Sequence, residues 1–379
     1  MKTVVQVILN LGHGGMEAMA VSLAQGLDRE RFRSVVVALD AGGEYEAVLR
    51  DSGVESHVLP GRRLWSPGFH WDLAALLRRL NADVVHTHHF SPLLHSLPAM
   101  HLARVARRVH TEHSYQYLEP RRDCRRVLRV MGAMTHAFVL VAKSMEAFYR
   151  EQVRVGETRL RIIPNGVDTD LYRPLNGKAS KERVERRRQQ IGVPAEAYLI
   201  GTAGRFFPEK DYGTLLRGFA AFAANAPHAH LAMIGDGPER RSLEALATSC
   251  GEGIAARIHF LGWRTDLPDV LPLLDTFALS SRSEGLPLVA LEALACGVPL
   301  VVTPVGDLPE VVADRAAQAG LLFPIGDHAA LAHALRELGD VNARTALAEA
   351  GRALVLQRYS RAAMVDSYTR AYEGLEVTS

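Results

Sequence analysis

The sequence predicts a two-domain α/β protein built on parallel sheets, and three observations carry that expectation. The chain has 379 residues, more than one ordinary core accommodates, which suggests two domains of about 150–200 residues each. Short β-branched runs alternate with longer helical patterns from end to end. The runs are nearly continuously apolar, as strands covered on both faces are. Such alternation gives parallel sheets joined by right-handed crossovers.

In chain order, the first half offers six strands: "VVQVIL", "SVVVAL", "DVVHTH", "RRVHTE", "AFVLVA" and "RIIP". The opening "MKTVVQVILNLG" has a lysine, an apolar run and a later "AMA", as a secretory leader would. Gln6, Asn10 and His13 interrupt the run and a glycine cluster follows it, so a first strand entering a glycine turn explains more. The second half offers "YLIGTAG", "HLAMIG", "RIHFLG", "TFALS", "PLVVT" and "GLLFP". Between the two series lies a stretch with a turn signal at Asn165-Gly166, a stop at Pro174 and a charge run from Lys178 to Arg188. The run reads as a solvated helical linker. "NGKAS" within it is no phosphate loop, because Tyr172 stands where a glycine belongs and Ala179 where Ser or Thr belongs. "YSRAAMVDSYTRAYEGLE" reads as a last helix.

Composition excludes several classes. Hydrophobic residues make up 48% and charged residues 23%, the profile of a globular protein. Lys and Arg total 44 against 42 Asp and Glu, so no global field recruits nucleic acid. Cys124, Cys250 and Cys296 are far apart, which argues against disulfides or a zinc site and suits a reducing cytoplasm. No apolar stretch approaches the roughly 20 residues of a membrane span.

In parallel α/β sheets, ligands bind beyond the carboxyl ends of strands. After the first strand, Gly12, Gly14 and Gly15 allow close backbone approach, and the following helix aims its amides at the same space. An anion site and a plain tight turn both fit. Asp40 ends the second strand as a nicotinamide-binding acid would, but a dinucleotide fingerprint needs glycine where Glu17 stands. His86 and His88 share a strand face and could suit a metal, although no acidic or cysteine partner is near in sequence. His113 ends another strand, where it can donate to a ligand hydroxyl or serve as a structural hydrogen-bonder.

The second half is more informative. In "GTAGRFFPEKDYGTLL", Arg205 and Lys210 lie in a loop before a helix that Asp211 would cap. Two cations at a helix N-terminus are unfavourable without an anion, which a diphosphate would supply. Gly235 and Gly237 in "MIGDGP" permit close approach to a planar ligand, and Pro238 suits a first helical turn. Arg264 and a capping Asp266 follow. "SRSEGL" is a strand-exit loop carrying Glu284, and Pro287 opens an apolar helix that stops at Cys296-Gly297. Glu292 is that helix's one charged residue, and a buried carboxylate persists only with donors to accept from. Ligand hydroxyls would serve, and so would a buried Glu–Arg pair.

These residues resemble the retaining, nucleotide-sugar-dependent glycosyltransferases of family 4, whose GT-B fold has two Rossmann-like doubly wound domains facing across a cleft. The most specific element is the glutamate pair in "SEGLPLVALEALACGVPLVVTPVGDLPEVV", with "GRFFPEKDYGTLL", "IGDGP", "FLGWRTDLPDVL", "PNGVDTDLY" and "GGMEAMA" agreeing in order. The resemblance implies an acceptor-side domain over residues 1–168, a nucleotide-sugar domain over 192–358 and a last helix, about 360–379, crossing back onto the first. It implies that Arg205 and Lys210 hold the donor diphosphate, Glu284 meets the sugar ring and Glu292 binds the ribose. The amides of Gly285, Leu286, Pro287 and Leu288 would meet sugar and phosphate. Gly235 and Arg264 would line the base pocket, Gly14 and Gly15 would approach the phosphates, and His113 would contact the transferred sugar. The family often has two glycines before "LPE", where this chain has Val305-Gly306-Asp307, so the donor is not assigned.

The function expected is metal-independent transfer of a sugar from a UDP- or GDP-sugar, with retention, to a carbohydrate, lipid-linked or small-molecule acceptor, with no cofactor. Two rival readings are an NAD(P)-dependent oxidoreductase resting on Gly12, Gly14 and Asp40, and a non-catalytic two-lobed sugar-binding protein. The expected place is the cytoplasm. Arg121, Arg122, Arg125, Arg126 and Arg129, with Arg104, Arg107 and Arg108 before them, would let a basic helix rest peripherally on the inner face of a membrane or simply face solvent.

Overall fold

A computed structural model of the chain describes residues 1–12, 14–59, 66–175, 178–314 and 317–377; His13, Asn176 and Gly177 lie outside them. The chain divides into two compact units, Met1–Gly166 with Arg361–Ser379, and Val167–Ser360.

The first unit is a seven-stranded sheet: β1 (Lys2–Asn10), β2 (Phe32–Ala41), β3 (Glu55–Val58), β4 (Val84–His88), β5 (Arg107–Glu112), β6 (Ala137–Leu140) and β7 (Leu160–Ile162). Their order is β3-β2-β1-β4-β5-β6-β7, and every pairing is parallel. The "MKTVVQVILN" segment is the interior strand β1, between β2 and β4, with Val4, Val5, Val7 and Ile8 fully buried. β3, "ESHV", is an edge strand with no apolar run to signal it; it exists because β2 offers free hydrogen-bonding groups in register, Val35 opposite Glu55. The last helix, Arg361–Glu373, packs on helix Gly15–Gly26 of this unit. Gly26 makes that approach feasible, since a Cβ there would stand 2.7 Å from Val365 Cγ2. Arg107 Nε donates to the Ala371 carbonyl at 2.5 Å, tying the helix to β5.

The second unit has β8 (Tyr198–Ala203), β9 (Ala229–Ile234), β10 (Ile258–Gly262), β11 (Thr276–Leu279) and β12 (Leu300–Val302), a small antiparallel pair β13 (Ala313–Asp314) and β14 (Ala317–Gln318), and β15 (Gly320–Leu322). The sheet order is β10-β9-β8-β11-β12-β15, all parallel. Its core packs Phe206, Tyr212, Phe219, Leu231, Met233 and Phe323 among other buried apolar side chains.

The charge run is not a free linker. Helix Lys178–Gln190 belongs to the second unit, and Arg188 is only 7% exposed. Its guanidinium donates to the carbonyls of Leu273, Ala195 and Ala197 and to Asp275 Oδ2 at 2.9 Å. Arg183 and Arg187 both pair with Asp269, at 3.1 and 3.2 Å. A charge run reads as solvated because composition does not reveal carbonyls waiting for a fork of donors.

Candidate active site

Strand order reverses between β8 and β11 in the second unit, and open α/β sheets bind ligands at the carboxyl ends flanking such a point. Loop 204–211 leaves β8 there, and loop 280–287 leaves β11. Serines at the end of β11 sew the loops together. Ser280 Oγ donates to the carbonyls of Lys210 (3.0 Å) and Asp211 (2.8 Å), and the Arg282 amide donates to the Glu209 carbonyl at 2.8 Å. The result brings two expected residues into contact: Lys210 Nζ donates to Glu284 Oε1 at 2.5 Å, and Ser281 Oγ donates to the same oxygen at 2.7 Å. The Glu284 side chain is 11% exposed and that of Lys210 20%. Glu284 Oε2 accepts no hydrogen bond from the described residues, which leaves it for a ligand hydroxyl.

This contact revises the charge argument. Lys210 stands just before helix Tyr212–Ala223, whose dipole disfavours it, and the Glu284 carboxylate offsets that within the protein itself. Asp211 occupies the capping position but makes no capping bond. Its φ is 47°, and its carboxylate accepts from Thr214 Oγ1 and pairs with Arg282 at 3.0 Å. Arg205 is exposed, its guanidinium 5.0 Å from the centre of the Phe207 ring, and no carboxylate pairs with it among the described residues.

Gly235 (φ 134°) is where glycine is required: a Cβ there would stand 1.9 Å from the Gly204 carbonyl oxygen. The same reason applies at Gly306 (φ 57°), whose Cβ would stand 1.9 Å from the Gly285 oxygen. Asp307 N donates to that oxygen at 3.0 Å, so the Val305-Gly306-Asp307 loop buttresses the Glu284 loop. Gly235 therefore has a packing role, joining the exits of β8 and β9. Arg264 is closed on Asp266, with Nε at 2.8 Å and Nη2 at 2.6 Å, so Asp266 stands at the expected cap position of helix Leu267–Val270 but spends its side chain on the ion pair rather than on a capping bond. Pro238 precedes helix Arg240–Ser249 by two residues instead of entering its first turn.

Helix Leu288–Ala295 begins one residue later than expected, with Pro287 in the capping position and Gly297 (φ 74°) after its end. Proline has no N–H, so Pro287 contributes no amide to the donor row expected of Gly285, Leu286, Pro287 and Leu288. Leu286 is buried. Glu292 lies on this helix. Burial pushes its carboxyl up to about 7, and a hydrogen bond with Tyr172 opposes the shift. No arginine or lysine pairs with it among the described residues, so the buried Glu–Arg alternative does not hold. The partnership with Tyr172 was not legible in the sequence because the two residues are 120 positions apart and Tyr172 lies in a segment without periodicity.

In the first unit, Gly14 precedes helix Gly15–Gly26 with an extended φ of −173°, so its conformation does not demand glycine. A Cβ there would meet only the Glu17 carboxylate. Asp40, the acid of the nicotinamide reading, is exposed at the end of β2. Buried His86 and His88 and the partly exposed His113 form one polar cluster on β4 and at the end of β5. Both ring nitrogens of His86 are occupied, by Tyr372 Oη (2.8 Å) and Thr111 Oγ1 (2.7 Å). Both of His88 are occupied too, by Gln6 Oε1 (2.8 Å) and His113 Nε2 (3.4 Å). The shared face thus serves hydrogen bonds, and among the described residues no three His, Cys, Asp or Glu side chains form a metal-holding group. Desolvation holds His86 and His113 well below the ordinary range and His88 at about 3, with neighbouring histidines adding to the effect. His89 turns the chain out of β4 at φ 75° and stacks on Tyr117 at 4.2 Å.

Comparison with known proteins identifies the family and the fold. Residues 13–171 match the family described as Glycosyltransferase Family 4, and residues 197–340 match Glycosyl transferases group 1. The lipopolysaccharide core biosynthesis glycosyltransferase LpsE of Rhizobium meliloti (strain 1021) is 35% identical over 182 residues, 48% of this chain and 51% of that protein. The UDP-Gal:alpha-D-GlcNAc-diphosphoundecaprenol alpha-1,3-galactosyltransferase of Escherichia coli is 27% identical over 239 residues, 61% of this chain and 60% of that protein. The chain thus spans about half to three-fifths of these two relatives. Anabaena Alr3699/HepE, solved in complex with UDP and glucose, superposes with a TM-score of 0.84 at 22% identity, covering 99% of this chain and 100% of that one. The likeness shows the two-domain GT-B fold. The chain belongs to glycosyltransferase family 4.

Proposed function

We propose that the chain transfers a sugar from a nucleoside diphosphate sugar to an acceptor hydroxyl, without a metal and with retention of the anomeric configuration. The Lys210–Glu284 contact beside the unpaired Arg205, at the switch point of the second unit, carries this reading. A leaving nucleotide diphosphate develops negative charge, which preorganised cations and helix N-termini stabilise. Arg205 and Lys210 provide such cations, Glu284 Oε2 an acceptor for a sugar hydroxyl, and Glu292 an acceptor for the ribose. With no nucleophile–base pair of the serine or cysteine type evident in the sequence, attack by the acceptor hydroxyl comes from the face the leaving group departs. The UDP in the Anabaena complex and the UDP-Gal in the name of the Escherichia coli relative favour a UDP-sugar over a GDP-sugar. The names of those relatives also favour an acceptor in polysaccharide or glycolipid synthesis. A panel of nucleotide sugars assayed with EDTA present should give hydrolysis or transfer with at least one of them. Activity abolished by chelator and restored by magnesium or manganese would overturn the metal-independent assignment, and stabilisation by NAD(P)H but not by UDP or GDP would overturn the donor class.

The reading includes peripheral contact with an anionic membrane, placing a lipid-linked acceptor near the enzyme at the cytoplasmic face. No helix among the described residues is long and apolar enough to cross a membrane. Helix Arg122–Ala133 exposes Val127 (42%) and Val130 (64%) beside exposed Arg122, Arg126 and Arg129. A groove of about 620 Å³ runs between it and helix Phe90–Leu102, lined by Leu94, Leu97, Val127, Val130 and Met134. Apolar side chains flanked by arginines suit an interfacial helix. Arg125 is excluded from this surface, because its Nη1 bonds the Leu118 carbonyl at 2.8 Å and also the Glu119 carbonyl. Wild type should therefore sediment with anionic liposomes at low salt, and replacing Arg121, Arg122, Arg126 and Arg129 by Gln should abolish this. Wild type that stays in the supernatant disposes of the membrane reading.

A further inference from the structure

The buried cluster of the first unit has a proton order that the sequence does not reveal. Gln6 reaches from β1 between the last helix and β4. Its Nε2 donates to Tyr372 Oη at 3.0 Å, and its Oε1 lies 2.8 Å from His88 Nε2. An amide oxygen only accepts, so His88 carries its proton on Nε2. Burial keeps His88 neutral at physiological pH, so its Nδ1 is a bare lone pair. The neighbour of that lone pair is His113 Nε2 at 3.4 Å, which must be the donor. His113 is held neutral by the same desolvation and therefore keeps its second nitrogen, Nδ1, unprotonated. No hydrogen bond to Nδ1 is present among the described residues, and the residue is partly exposed. On the other side, Tyr372 Oη accepts from Gln6 and lies 2.8 Å from His86 Nδ1, and His86 Nε2 lies 2.7 Å from Thr111 Oγ1.

We propose that Tyr372, Gln6 and His88 are positioning residues that hold His113 in its Nε2–H tautomer, so that His113 meets its ligand as a hydrogen-bond acceptor. This rests on the reading that His113 faces the transferred sugar, and it reverses the expected polarity: the sugar hydroxyl donates and the histidine accepts. It also gives the last helix a task in the chemistry besides packing, because the Tyr372 hydroxyl takes the Gln6 Nε2 hydrogen bond and so leaves the amide oxygen to His88. Without that hydroxyl the amide can turn over, donate to His88 Nε2, move the His88 proton to Nδ1 and move the His113 proton to Nδ1 as well.

Two-bond ¹⁵N–¹H correlation spectra of histidine-labelled full-length protein read the tautomers directly. Wild type should show His113 protonated on Nε2, and Tyr372→Phe should move a large fraction of it to Nδ1. Turnover of Tyr372→Phe should fall about tenfold, while the affinity for free UDP, which has no sugar, should stay within twofold. Wild-type His113 protonated on Nδ1 overturns the proposal even if no variant folds. An unchanged His113 tautomer in a folded Tyr372→Phe protein overturns it as well. A tautomer that moves with turnover unchanged supports the relay and instead refutes the contact between His113 and the sugar.

Discussion

Replacing Lys210 with alanine lowers turnover by about 10²–10³, the usual scale for deleting a preorganised charge stabiliser. The loss should appear in kcat and kcat/KM together, because the diphosphate charge assigned to Lys210 in the proposed function grows in the transition state. A lysine in a solvated loop would leave the fold untouched when lost. The contact with Glu284 predicts otherwise: the variant strands a carboxylate that is 11% exposed, with only Ser281 still donating to it. A loss of roughly 1–3 kcal/mol of stability follows, the cost of an unsatisfied polar group. The double variant Lys210→Ala/Glu284→Gln should recover most of this stability and none of the turnover. Near-normal turnover in Lys210→Ala removes the residue from the mechanism, and a double variant as unstable as the single one removes the ion-pair explanation.

The two glutamates should fail differently. Glu292 is assigned to the unreactive ribose, so Glu292→Gln weakens nucleotide binding by roughly 1.5–3 kcal/mol, the worth of a charged hydrogen bond, and raises KM more than it lowers kcat. Glu284→Gln lowers kcat and leaves free UDP binding almost unchanged, because UDP lacks the sugar. Glu292 also gives a pH signature. Its carboxyl sits at about 7 in the folded protein against 4.5 for the free side chain. Between those values the native state holds more protons than the unfolded state. The free protein therefore gains stability from this group below about pH 4.5 and loses it as pH rises to 7, by roughly 3 kcal/mol in all. Glu292→Gln should flatten that dependence and cost little stability near pH 8. UDP binding should run the opposite way, weakening as pH falls below 7, if the ionised carboxylate accepts from the ribose. Calorimetry with UDP and thermal melts at pH 5 and pH 8 decide it. Equal losses of nucleotide affinity in the two variants, a wild-type stability that rises between pH 5 and pH 7, or a fall over that range that is no less steep in Glu292→Gln, would sink the assignment.

What the sequence determined is local. Continuous β-branched runs mark strands buried on both faces, and twelve of them were visible as two series because burial leaves no choice of residue type. The glycines and charged residues at their exits were visible for the same reason: a chain leaving a buried strand must turn, and few residues turn it tightly. The four-residue edge strand β3, which is held by pairing with β2 alone, left no such mark. Side-chain partnership was not legible either. Lys210 and Glu284 are 74 positions apart, Gln6 and Tyr372 are 366, and Arg188 and the Leu273 carbonyl are 85. Hydrogen bonds depend on direction and on distances of about 3 Å, which composition and periodicity do not encode. Only the tertiary structure could decide that Lys210 already has an anion, that the Asp266 side chain at its cap position holds Arg264 instead of a helix amide, and that a tyrosine in the last helix faces a glutamine in the first strand.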